Sequence, residues 1–244
     1  MDVVFDKIAA GRALSASSAE ELRTKGFTVI PGPIETERLA AFAAAYDVAM
    51  CGDGSDDFKV GSGTTRLYDF VNRGPQFDDV YLHPPLLEAC GQVIGMAFKL
   101  SSTLGRTVRP HGGAQDLHVD ISRNSQELPM LGFILMVDEF TLENGATRFA
   151  GGSHLWAEVP SDRMRDCKAD YDGQVLACGP AGSMILFNGS IWHGHTANRT
   201  DTPRRSIQGY FVRRDARSGI DHGSRITADT LARLTPLARY LLAI

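Results

Sequence analysis

The 244-residue chain reads as a mainly β protein with flanking helices, a sandwich or small open barrel that helices buttress. Three observations predict this. Helical patterns dominate the first hundred residues, and seven or eight short strand-like runs follow from about residue 98, separated by glycine, asparagine or proline. The third is a closing helical segment. We therefore expect one domain over 1–244, with a helical part at 1–97, a β core at about 98–214 and a terminal helix at about 227–244.

In chain order, "SASSAEEL" opens with serines suited to cap a helix, and Gly26 ends it. "FTVI" is a short strand stopped by Pro31, and "IETERLAAFAAAYDVAM" is an alanine-rich second helix. Residues 52–66, "GDGSDDFKVGSGTTR", have loop composition, and a loop of this length is either mobile or a lid over a site. "PPLLEACGQVIGMAF" is a third helix with proline near its start. The strand candidates are "FKLSSTLGRTV", "LHVDIS", "MLGFILMVDEF", "ATRFA", "QVLAC", "SMILFNG", "IWHG" and "RSIQGYFV". In "TADTLARLTPLARYLL", Pro236 bends or restarts the last helix.

Bulk properties exclude several functions. A composition 43% hydrophobic and 22% charged is ordinary for a globular protein, and a net charge of -4 gives no reason to expect nucleic acid or an anionic membrane as partner. The four cysteines form no CxxC pair, which fits neither a zinc ribbon nor a redox dithiol. The start is unlike a signal peptide and no apolar run is long enough to span a bilayer, so we expect a soluble, cytoplasmic protein.

Three stretches carry chemistry. In "AQDLHVDISR", His118 and Asp120 stand two apart, so in a strand both point to one face. A third ligand must come from elsewhere, and His193 or His195 in "IWHGH" is available; strand parity cannot separate them. Two histidines and one carboxylate leave about three positions of an octahedral ion open, which suits non-haem Fe(II), whereas a structural zinc would be closed by four ligands. In "RRSIQGYFV", Arg204, Ser206, Gln208 and Tyr210 share one strand face, with Arg205, Ile207 and Phe211 on the other. A polar inward face lines a site, and arginine's planar fork matches a carboxylate.

"HVD" at 118–120, "ENGATRFAGGSH" at 143–154 and "WHGHTANRTDTPRR" at 192–205 follow in order, and together they resemble the phytanoyl-CoA dioxygenase family of Fe(II)- and 2-oxoglutarate-dependent oxygenases. The resemblance is strongest over residues 98–214 and implies a double-stranded β-helix, a jelly-roll or cupin-like core. It implies iron on His118, Asp120 and His193, because the family's arginine stands eleven residues after the last ligand, where Arg204 follows His193. It further implies that Arg204, helped by Ser206, holds the distal carboxylate of 2-oxoglutarate, and that O2 is consumed with release of succinate and CO2.

His195 occupies a position usually serine in the family; a hydrogen bond to ligand or cosubstrate and a packing role both stay open. Gln115 is a candidate cosubstrate contact or a plain strand-edge residue. Gly151 replaces the family's proline, and Ser153 and His154 are expected to fix loop geometry. An aspartate at 120 argues for hydroxylation, desaturation or ring closure over halogenation. Arg66, Tyr68, Arg73 and Arg123 are the candidates to touch substrate, expected to be a small metabolite or secondary metabolite, since no cradle for CoA is evident. The competing expectations are a non-catalytic metal- or 2-oxoglutarate-binding protein and a non-oxidative metalloenzyme on the same barrel.

Overall fold

A computed structural model describes residues 2–51, 55–122, 125 and 129–244. The amino-terminal part comprises α1 (Val3–Ala9), α2 (Ala16–Thr24), β1 (Phe27–Pro31), α3 (Leu39–Met50), β2 (Phe58–Val60), β3 (Thr64–Tyr68), α4 (Asp78–Leu82) and α5 (Pro84–Ile94). The β core follows as β4 (Phe98–Val108), β5 (Met130–Met136), β6 (Thr147–Phe149), α6 (Pro160–Arg163), β7 (Val175–Ala177), β8 (Ser183–Asn188), β9 (His193–His195) and β10 (Arg204–Arg213). The chain closes with α7 (His222–Arg225), α8 (Ala228–Arg233) and α9 (Pro236–Leu242).

Among the described residues the strands form a seven-stranded sheet, β1-β8-β5-β10-β4-β3-β2, facing a three-stranded sheet, β7-β6-β9. Every pairing is antiparallel. This is a jelly-roll core, a double-stranded β-helix with one large and one small sheet.

Local chemistry sets the element boundaries. Ser15 caps α2 by accepting the Ser18 N–H at 3.1 Å. Gly26, at φ +85°, turns the chain from α2 into β1. Pro84 begins α5, and Gly95 at φ +72° ends it. Pro236 restarts the terminal helix instead of bending one, so α8 and α9 are separate.

The large sheet has two different faces. Its outer face carries Leu100, Leu131, Phe133, Leu135, Ile207 and Phe211, packed against Tyr46, Phe70, Leu86, Leu87 and Leu241 from the surrounding elements. That apolar layer is the main core, and its burial is the principal source of stability. The inner face looks toward the small sheet across a cavity.

Two sequence expectations need correction. The expected loop at 52–66 is partly strand: β2 and β3 form a hairpin, and β3 pairs with β4 from Thr64↔Val108 to Tyr68↔Leu104, while residues 52–54 lie outside the described residues. Glycine- and aspartate-rich composition concealed it, because β4 supplies the pairing that local propensity does not. Residues 117–122 are not a regular strand either; one bridge, His118↔His193, joins them to β9.

Candidate metal centre

Although it lacks a ladder, the HVD segment is tied down along the edge of the small sheet. His118 and His193 exchange both backbone hydrogen bonds at 2.9 and 3.0 Å, Gln115 N–H donates to His195 O, and Asp120 N–H donates to Gly189 O. Gly194 explains the spacing of "HGH". A Cβ there would lie 2.9 Å from the Asp116 carbonyl, so only glycine lets the two segments approach this closely.

One donor atom from each of His118, Asp120 and His193 converges, all within 4.8 Å of one another. His193 Nε2 lies 3.3 Å from Asp120 Oδ2, and His118 Nε2 lies 3.6 Å from Asp120 Oδ1. The Nδ1 atoms of His118 and His193 meet the carbonyls of Asp116 at 2.9 Å and Ile191 at 3.0 Å. An Nδ1–H that donates to these carbonyls leaves Nε2 as the atom each imidazole would offer to a metal. Asp120 Oδ2 is buried and has no hydrogen-bond partner among the described residues, an orphaned carboxylate oxygen that suits a cation. Burial is the largest influence on Asp120 and opposes its charge, yet the two imidazoles and Tyr210 together hold its carboxyl below the usual range. The residues present fit a facial two-histidine, one-carboxylate site.

The cavity around this cluster has a volume of about 250 Å³. From β10, Arg204, Gln208 and Tyr210 line it, and Tyr210 hydroxyl donates to Asp120 Oδ1 at 3.4 Å. Arg204 is 1% exposed. Its Nη2 donates to Gly145 O at 2.7 Å, its Nη1 to Ser206 Oγ at 3.2 Å, and its guanidinium lies 4.2 Å from the centre of the Phe140 ring. Gly145, at φ +85° in the turn that Asn144 closes onto Thr141 N–H, supplies that carbonyl. No carboxylate forms an ion pair with Arg204 among the described residues, and burial, then the nearby Arg106, push its pKa down to about 9. A buried, uncompensated guanidinium is costly unless an anion joins it.

The other predicted residues separate clearly. His195 lines the cavity, its Nδ1 meeting Thr196 O at 2.8 Å; burial, Arg106 and Arg204 push its pKa down to about 3, so it is neutral. Gln115 lines the cavity with its side-chain nitrogen 3.4 Å from His118 Nε2. Arg66 and Tyr68 line it from β3, a strand and not a loop. Arg73 does not: it pairs with Asp57 at 3.4 Å, away from the cavity lining. Arg123 lies outside the described residues. Ser153 accepts the Trp192 N–H at 2.8 Å and His154 Nε2 meets Arg23 O at 3.1 Å, which is loop geometry as expected.

Sequence reasoning missed Arg106, Thr147 and Phe187, all of which line the cavity. A lone arginine near the end of a strand whose other charge is Lys99 was the signal for Arg106.

Residues 22–206 match the phytanoyl-CoA dioxygenase (PhyH) family. The chain belongs to that family. Among curated relatives, it is 31% identical over 232 residues to the multifunctional dioxygenase prhA of Penicillium brasilianum, covering 83% of this chain and 75% of that protein. It is 28% identical over 230 residues to the dioxygenase FrzG of Cladobotryum sp, covering 80% and 73%. Among solved structures, it superposes on the non-haem alpha-ketoglutarate-dependent carbocyclase SnoK from nogalamycin biosynthesis with a TM-score of 0.69, at 20% identity and 92% coverage of both chains. HygX from Streptomyces hygroscopicus, crystallised with nickel and 2-oxoglutarate, gives a TM-score of 0.67 at 17% identity, covering 84% and 90%. The protein is accordingly a dioxygenase by family and a jelly-roll by fold. Among the described residues, no helix is long and apolar enough to cross a membrane.

Proposed function

We propose that this protein uses Fe(II), 2-oxoglutarate and O2 to oxidise a C–H bond of a small metabolite or natural product, releasing succinate and CO2. His118, Asp120 and His193 would hold the metal, and Arg204 with Ser206 the distal carboxylate of 2-oxoglutarate. The observation that carries the reading is one cavity lined by three converging donor atoms and by a buried guanidinium that has no acidic partner among the described residues.

Iron with 2-oxoglutarate, when bound, supplies the oxidising chemistry. The protein's part is geometry and exclusion of water. Hydrogen bonds to Asp116 and Ile191 carbonyls fix the imidazoles, and the Phe149 and Phe187 rings, 5.9 and 4.8 Å from that of His193, pack against it. Tyr210 steadies Asp120, neutral His195 adds no charge beside Arg204, and Leu104, Ile134 and Phe187 wall the cavity with apolar surface. A carboxylate at position 120 would itself be a ligand to the metal, which in this family favours hydroxylation, desaturation or ring closure over halogenation.

Anaerobic addition of Fe(II) and then 2-oxoglutarate to metal-free protein should produce a weak visible charge-transfer band. The band should be absent in His118→Ala and Asp120→Ala, and admission of O2 should release succinate. A wild-type protein that binds metal but gives neither band nor succinate would instead be a metal-binding protein or a non-oxidative metalloenzyme.

A further inference from the structure

The cavity holds more positive charge than metal and cosubstrate require. Arg66 on β3 lies directly opposite Arg106 on β4, and Arg106 directly opposite Ser206 on β10, so two guanidiniums stand side by side on the inner face. Both line the cavity with the donor cluster. Among the described residues neither forms an ion pair, and Arg106 Nε is buried without an acceptor. Burial, then Arg66, push the Arg106 pKa down to about 10.

Some half-buried arginines elsewhere in the chain have carboxylate partners: Arg205 with Asp138 and Asp47, and Arg233 with Asp78. Like charges directly across neighbouring strands are destabilising, and burying them unpaired adds to the cost. Asp120 is the only carboxylate in the cavity lining among the described residues, and its oxygens already face His118, His193 and Tyr210.

A charge count points to the missing partner, resting on the reading of function above. A divalent metal, the Asp120 carboxylate, the dianion 2-oxoglutarate and Arg204 sum to zero. Arg66 and Arg106 are left over. We propose that this arginine pair receives a carboxylate on the substrate, so that the enzyme acts on an organic acid held at its charged end. Two planar forks suit a carboxylate, and Tyr68, on the same face of β3, adds a hydroxyl to the cavity. Leu104 and Ile134, in the next row of the sheet, give the acid's hydrocarbon body an apolar wall.

The test uses protein loaded anaerobically with Fe(II) and saturating 2-oxoglutarate, so that the Arg204 site is filled. Benzoate and benzamide, alike in shape and different in charge, are titrated while the charge-transfer band and the heat of binding are followed. Benzoate should bind about tenfold or more tightly than benzamide. Arg66→Gln and Arg106→Gln should each erase most of that preference and leave 2-oxoglutarate affinity within about threefold of wild type. Arg106→Lys, which keeps the charge, should retain part of it and guards against a variant that misfolds. Equal binding of acid and amide, or binding of neither, overturns the proposal. So does loss of 2-oxoglutarate affinity in either glutamine variant, which would give the pair to the cosubstrate. If no band forms in the wild type, it is the reading of function that fails.

Discussion

Arg204 and Arg205 are neighbours in sequence and opposites in environment. Arg204 lines the cavity, buried, with no ion-paired carboxylate among the described residues, and burial above all pushes its pKa down to about 9. Arg205 points out from the same strand. Its Nη2 lies 2.6 Å from Asp138 Oδ1, its Nη1 lies 2.7 Å from Asp47 Oδ2, and Asp138 above all raises its pKa. The fold supplies one residue with its counter-ion and gives the other none among the described residues. The same split runs down β10, where Ser206, Gln208 and Tyr210 face the cavity side and Ile207 and Phe211 face the core. A strand's period of two lets one segment serve stability on one side and recognition on the other.

The division can be broken at several points. The largest effect should come from the core side: Ile207→Ala, at a residue 1% exposed, should cost about 2–4 kcal/mol in a denaturant titration while leaving 2-oxoglutarate affinity unchanged. Next, Arg204→Met should weaken 2-oxoglutarate binding by about 10- to 100-fold, a loss of about 1.4–2.7 kcal/mol, without lowering the melting temperature, because it removes an uncompensated buried charge. Iron binding should survive that change. A normal 2-oxoglutarate affinity in Arg204→Met would dismantle the cosubstrate assignment. The mirror image is Arg205→Met: about 1–2 kcal/mol of stability lost, since Asp138 is left half-buried and unpaired, with cosubstrate binding intact.

A smaller effect lies away from the site. His222 is 3% exposed, neither ring nitrogen has a hydrogen-bond partner among the described residues, and burial lowers its pKa, with Asp69, Arg225 and Asp221 as the nearby charges. Below the ordinary histidine pKa of about 6.5 the unfolded chain takes up a proton that the folded one resists, so stability declines as pH falls. The slope is at most about 1.4 kcal/mol per pH unit from this group. Melting temperatures of wild type and His222→Phe between pH 7 and pH 5 should diverge, the variant giving the flatter curve. Parallel curves would show that His222 charges freely in the fold.

Much of this was legible in the chain. The helices carried their own periodicity and capping residues, β4 and β10 their strand composition, and "HVD" named two donors whose placement the bridge to His193 provides. The arginine at 204 was marked by a polar face on an otherwise apolar strand, and "NG" marked the turn that now holds it. The β2–β3 hairpin was not legible, because its residues favour loops and only β4 makes them a strand. Nor was the direction of Arg106. The register of β4 against β10 shifts between Tyr210 and Phe211, so parity counted from Phe98 assigns Arg106 to the wrong face.

Sequence alone thus determined the kinds of groups and, where a strand runs without a bulge as β10 does from Arg204 to Tyr210, their local phase, since side-chain direction follows from backbone geometry over a few residues. The fold decided which groups meet. His193 joins His118 and Asp120, Gly145 meets Arg204, and Arg66 stands beside Arg106 only through pairings between segments far apart in the chain. Such contacts depend on the register of whole sheets and on a bulge one residue wide, and no local pattern encodes them.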